Sequence, residues 1–162
     1  MSMTYLHCEH DEQHVSLHDC VAERAWFADG KLGFAFADGF WILPDHPENH
    51  VAKMVRTDAS QVEFTLEDGL ACDVRIFVFK RTYSGELSGR KWTLGELVDA
   101  INAGRCKLEF LYQFLGYKSR MVECDLIFGD TPENQDRHTC ILRISAPEVR
   151  YDWNHLRADR VW

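Results

Sequence analysis

Thr93-Leu94-Gly95-Glu96-Leu97-Val98-Asp99-Ala100-Ile101-Asn102-Ala103-Gly104, and then K-L-E-F-L-Y-Q-F-L-G-Y-K-S-R-M-V-E-C-D-L-I-F over residues 107–128, decide the fold class. In the first part, Thr93 and Glu96 match a capping box, in which each side chain satisfies a backbone N–H of the other residue. Leu94, Leu97, Val98 and Ile101 recur at helical spacing and form one apolar stripe. Gly104 supplies a left-handed stop. The spacing predicts one amphipathic helix over about 94–103. In the second part the period changes to two: Leu108, Phe110, Tyr112 and Phe114 share one face, and Val122, Cys124, Leu126 and Phe128 share another. Leu115 to Lys118 reads as the turn of a hairpin.

Upstream, the same alternation recurs between Asp-Gly turns. Cys20 to Phe27 reads as a strand, Asp29-Gly30 as a turn, and Leu32, Phe34 and Phe36 as the large-residue face of the next strand. Asp38-Gly39 then leads into Phe40 to Leu43, which predicts a three-stranded meander. Gln61 to Glu67, with Asp68-Gly69 as its turn, leads into Ala71 to Lys80, a central strand. Thr139 to Ala146 is a further strand, and Val149, Tyr151 and Trp153 continue an edge strand beyond Pro147. Pro44 to His50, Ser84 to Gly89 and Gly129 to Arg137 read as loops, the second of them mobile. The expected class is α+β and mainly β: a curled or two-layer antiparallel sheet of about eight to ten strands with the helix packed on it. The 162 residues suit a single domain, 1–162, with a polar His-rich arm at 1–15 and a Trp/Arg-rich tail at 150–162.

Composition narrows the function classes. A formal net charge of −8 disfavours nucleic acid and anionic membrane surfaces as partners and favours a basic protein. No apolar run is long enough to span a bilayer, and the first residues carry no secretion signal, so a cytoplasmic protein is expected. The six cysteines form no C-x-x-C pair and read as reduced thiols. No nucleotide-binding, nucleophile-elbow or metalloprotease motif occurs, which points away from an enzyme.

Two groups of residues could carry chemistry. In an extended chain His14, Ser16, His18 and Cys20 share a face, and imidazole with thiolate suits zinc. His46 or His50 could complete such a set, giving a small metal-binding protein or hydrolase. Solvated histidines on a polar arm, with Cys20 a small core residue, account for the same residues without a metal. The second group is acidic and aromatic: Trp41, Asp45, His46, Glu48, Asp130, Glu133 and Asp152 are expected to form a surface for a basic protein partner. An unpaired sheet edge would also let two copies associate, so a homodimer belongs to this expectation.

Leu17-His18-Asp19-Cys20 entering a strand, followed by Asp38-Gly39-Phe40-Trp41, resembles small bacterial proteins of unassigned function. Some acidic proteins of that kind are immunity partners of secreted toxins. The resemblance covers the first third of the chain and implies a non-enzymatic inhibitor or a self-associating accessory protein. It assigns no residue a role.

Overall fold

The computed structural model describes residues 4–162, leaving out the side chain of Arg81. The first three residues of the expected arm lie outside the described residues. Strands dominate: β1 (His7–Glu9), β2 (Val15–Ser16), β3 (Cys20–Ala22), β4 (Arg24–Ala28), β5 (Lys31–Phe36), β6 (Trp41–Ile42), β7 (Val55–Thr57) and β8 (Ser60–Thr65) precede β9 (Val74–Arg81) and β10 (Leu87–Trp92). The helix α1 (Leu94–Asn102) comes next. It is followed by β11 (Cys106–Gly116), β12 (Ser119–Phe128), β13 (Asp136–Ser145), β14 (Glu148–Trp153) and β15 (Leu156–Val161).

These strands form three antiparallel sheets, ordered β1-β14-β8-β5-β4, β10-β9-β13-β12-β11-β3 and β15-β7-β6-β2. The mainly-β, α+β class is therefore present, but the fifteen strands among the described residues exceed the expected eight to ten. The excess comes from β1, β2 and β7, of two or three residues and too short to show alternation, from the division of the expected Cys20 to Phe27 strand, and from the six-residue strands β10 and β15. Each exists because a neighbour supplies its hydrogen bonds.

The helix follows its local sequence. Thr93 accepts from the Glu96 amide at 3.1 Å, and Glu96 accepts from the Thr93 amide at 2.7 Å. Leu94, Leu97, Ala100 and Ile101 are buried against β4, β9 and β11. Gly104 takes φ +74° just beyond the helix, the conformation its missing Cβ permits. The Asn102 side chain donates to the Ala25 carbonyl and accepts from the Ala25 amide, occupying the open edge of β4.

Four expectations change. Cys20 to Phe27 divides at Glu23 into β3 and β4, which belong to different sheets. β6 leaves β5 and pairs with β2 and β7, so the meander is only the β4–β5 hairpin. Residues 87–89, expected in the Ser84 to Gly89 loop, instead begin the edge strand β10, which is exposed along most of its length. A bulge in β11 between Phe110 and Tyr112 reverses the alternation. Leu108 and Phe110 are buried, whereas Tyr112 and Phe114 face outward and are more than half exposed.

One contiguous apolar cluster joins the sheets and α1. Phe34 and Phe36 meet Phe110 edge-on at 5.2 and 5.4 Å. Each fully buried Leu or Phe here stabilises the fold by roughly 1.5–3 kcal/mol. Among the described residues no helix is long and apolar enough to cross a membrane.

Candidate functional site

The segment expected as an irregular lead-in is built into the fold. β1 pairs with β14, and His7 stacks on Trp153 at 4.1 Å. Asp11 then caps a single 3-10 turn, Glu12–His14, by accepting from the Gln13 amide at 2.9 Å. His10 Nδ1 donates to the Val149 carbonyl at 3.0 Å. Sheet pairing at one end and side-chain bonds at the other hold the segment against the sheets.

Its polar side chains gather at two places. At the first, Glu9 pairs with Nε2 of His46, a residue only 6% exposed. The Glu48 amide donates to His46 Nδ1 at 3.0 Å. The ring therefore carries its hydrogen on Nε2 and donates it to Glu9. Beside it, His14 sets Nδ1 at 3.3 Å from Asp45 and Nε2 at 3.4 Å from Asp11.

At the second place, Glu12 reaches across to Arg120 of β12 and pairs with its Nη1. Arg120 is 8% exposed and lies over the Phe64 ring at 5.2 Å, with its Nε unpartnered among the described residues. Burial pulls the guanidinium below its ordinary basicity, against the opposing pull of Tyr151. A cavity of about 790 Å³ opens here, lined by Asp11, Glu12, Glu148, His10 and Arg120 and by apolar Leu115, Pro147 and Val149. A second cavity of about 520 Å³ shares Glu12 and Leu115 and is lined further by His18, Tyr112, Gln113 and Tyr151. In the first cavity three carboxylates stand beside one guanidinium, which Glu12 already pairs. The walls thus hold excess negative charge and favour a cation or a donor-rich group.

The proposed ligands His14, His18 and Cys20 do not converge. Asp19 takes φ +59° in the turn before β3, and its amide donates to the Phe110 carbonyl at 2.8 Å. That turn breaks the extended register on which a shared face depends. His18 Nδ1 donates to the Leu111 carbonyl at 2.6 Å, and its Nε2 lies 3.4 Å from Asp19. Cys20 is fully buried, its Sγ directed at the His18 carbonyl at 3.5 Å. Burial pushes its thiol up to about 12, the opposite of what a thiolate ligand or nucleophile needs. His50 is exposed in the Pro-rich loop. Among the described residues no group of three or more His, Cys, Asp or Glu is placed to hold a metal ion.

The expected partner surface also divides. Asp45, Glu48, Asp130 and Glu133 are exposed. Trp41 is buried between Arg56, at 4.8 Å, and Trp162, at 5.4 Å, and its Nε1 donates to the His18 carbonyl. His46 is sealed by Glu9, and buried Asp152 accepts from Gln61 and Arg150. Asp130 and Glu133 follow the far end of β12, about 25 Å along the strand from Arg120 at the usual rise per residue. Asp45 and Glu48 lie at the Arg120 end, near His14. The two acidic loops do not form one surface.

Sequence reasoning missed Glu12, Arg120 and Glu148. One signal for Arg120 was present: it shares parity with Val122, Cys124 and Leu126, and a lone charge on an apolar face calls for a partner. No protein-family model matches the chain, and comparisons with curated proteins and with solved structures return no match.

Proposed function

We propose that this chain is a non-enzymatic, acidic protein-binding domain whose cleft between Asp11, Glu12 and Glu148 receives a basic side chain of a partner. The observation that carries this reading is the charge balance of the cleft: three carboxylates and a single guanidinium that one of them already neutralises. The apolar lining of Leu115, Pro147 and Val149 suits the aliphatic stem of a lysine or arginine, while the carboxylates suit its head. The net charge of −8 would steer a basic protein toward the domain. An immunity-type inhibitor masking a basic toxin surface is one protein of this kind, as is an accessory protein of a bacterial cytosol. The metal-binding or hydrolase alternative draws no support from the geometry, because His14, His18 and Cys20 point to separate partners.

Calorimetric titration with a Lys/Arg hexapeptide tests the proposal. Binding should weaken as salt rises, and Asp11→Asn and Glu148→Gln should each lower affinity about two- to fivefold, the range of exposed ion pairs. Asn preserves the capping oxygen of Asp11, so the 3-10 turn should survive. Unchanged affinity in the double variant would overturn the assignment of the cleft.

A further inference from the structure

We infer that two copies of this chain associate face to face through the outer surface of the six-stranded sheet. One face of that sheet covers the core. The other presents Phe77 of β9, Met121 of β12, and Tyr112 and Phe114 of β11, exposed by 38, 40, 56 and 53%. The register places them in two rows. Phe77, Ile141, Glu123 and Tyr112 lie side by side across four strands, and Arg75, Arg143, Met121 and Phe114 form the next row. An apolar patch continuous across four strands is unusual on a monomer. It exists because the bulge in β11 turns Tyr112 and Phe114 outward.

The charges of this face identify the occupant. Arg75 and Arg143 are direct cross-strand neighbours, a repulsive arrangement, and among the described residues neither forms an ion pair. Glu123, on the other half of the same face, likewise has no cationic partner among the described residues. Cations on the β9 and β13 side and an acid on the β12 side make the face complementary to itself. A two-fold axis parallel to the strands and running between β12 and β13 brings each half over the opposite half of the second copy. Phe77 then meets Tyr112 of the second copy, and Arg75 covers its Phe114 ring. Arg143 lies over Met121 and reaches Glu123 one row along, across the roughly 10 Å between packed sheets.

The four strands at about 4.8 Å, over some 30 Å of their length, present roughly 600 Å² per copy. Two copies would bury about 1,200 Å², the lower end of the range for a specific complex. This contact uses neither the acidic cleft nor a sheet edge.

Light scattering coupled to gel filtration, on the full chain up to about 100 µM, tests the inference. The expected mass is twice the 18.8 kDa of the chain. Arg143→Glu and Glu123→Arg should each raise the dimer dissociation constant at least about tenfold, and the two together should restore dimerisation, which simple misfolding could not produce. Phe114→Glu should give a monomer with unchanged circular dichroism. Hexapeptide binding at the cleft should persist in all of these variants, so loss of the dimer and failure of the cleft assignment remain separate results. A monomer throughout the range, or a dimer indifferent to Arg143→Glu and Phe114→Glu, would overturn the inference.

Discussion

Replacing Glu12 with Gln should cost about 2 kcal/mol of folding stability. Arg120 sits on the core-facing side of β12, 8% exposed, and among the described residues Glu12 is its only ionic partner. Removing one member of a fully buried pair typically costs about 3–5 kcal/mol, because the other charge is stranded. Here the pair borders a cavity of about 790 Å³, and the Glu12 side chain is 20% exposed. Water can therefore solvate part of the stranded guanidinium, which lowers the cost to the smaller figure. In a domain of this length, about 2 kcal/mol corresponds to a melting temperature lower by about 4–8 °C. Urea titration of the wild type, Glu12→Gln, Arg120→Met and the double variant completes the cycle. The double variant should be more stable than Glu12→Gln alone, since Met fills the site without a charge, and the coupling should exceed about 1 kcal/mol. If Glu12→Gln shifts stability by less than about 0.5 kcal/mol, or if the two single effects simply add, the pair does not hold the lead-in segment to the sheet.

Two further expectations concern the thiols and the tail. Burial pushes the thiols of Cys20 and Cys140 up to about 12 and that of Cys106 up to about 11, whereas exposed Cys72 is accessible to reagents. The unfolded chain releases these protons near the ordinary value of 9.0, so this stability is intact below pH 9 and is lost as pH rises toward 12. Urea midpoints should therefore fall above pH 9, and a disulfide reagent at neutral pH should label Cys72 first in the native protein; labelling of Cys20 at the same rate would contradict its burial. In the tail, burial pushes the Asp38 carboxyl up, but hydrogen bonds from Arg157 and Arg160 and the charge of Arg56 outweigh it and hold the group below its ordinary range. Asp38→Asn should loosen β15 and uncover buried Trp41, against which Trp162 packs, giving faster amide exchange over residues 156–161 and a red-shifted Trp emission. The wild type should lose the same contact as pH falls through the Asp38 titration, and identical exchange in both proteins would refute the clamp.

The helix was legible because its causes are local. Its capping residues, stripe and stop all lie within twelve consecutive positions, and the structure uses each of them. The long strands β5, β8, β11, β12 and β13 were legible for a similar reason: a half-buried strand must alternate. The bulge at Leu111 was not, because nothing in L-Y-Q-F distinguishes continued alternation from its reversal. The lead-in segment was misread for the opposite reason. Its composition is polar, yet β1 is held by backbone bonds to β14 and by the stacking of His7 on Trp153, interactions that span more than 140 residues.

By itself, then, the amino-acid sequence determined the periodicities, and with them the mainly antiparallel class, the limits of α1 and the acidic balance of the whole. Tertiary structure alone decided which strands share a sheet, because backbone pairing carries no side-chain signature in strands of two or three residues. It alone joined Glu12 to Arg120, residues 108 positions apart. It also parted His14, His18 and Cys20, six positions apart along the chain, through one left-handed turn at Asp19. Proximity along the chain suggests a site; only the folded backbone sets which atoms meet.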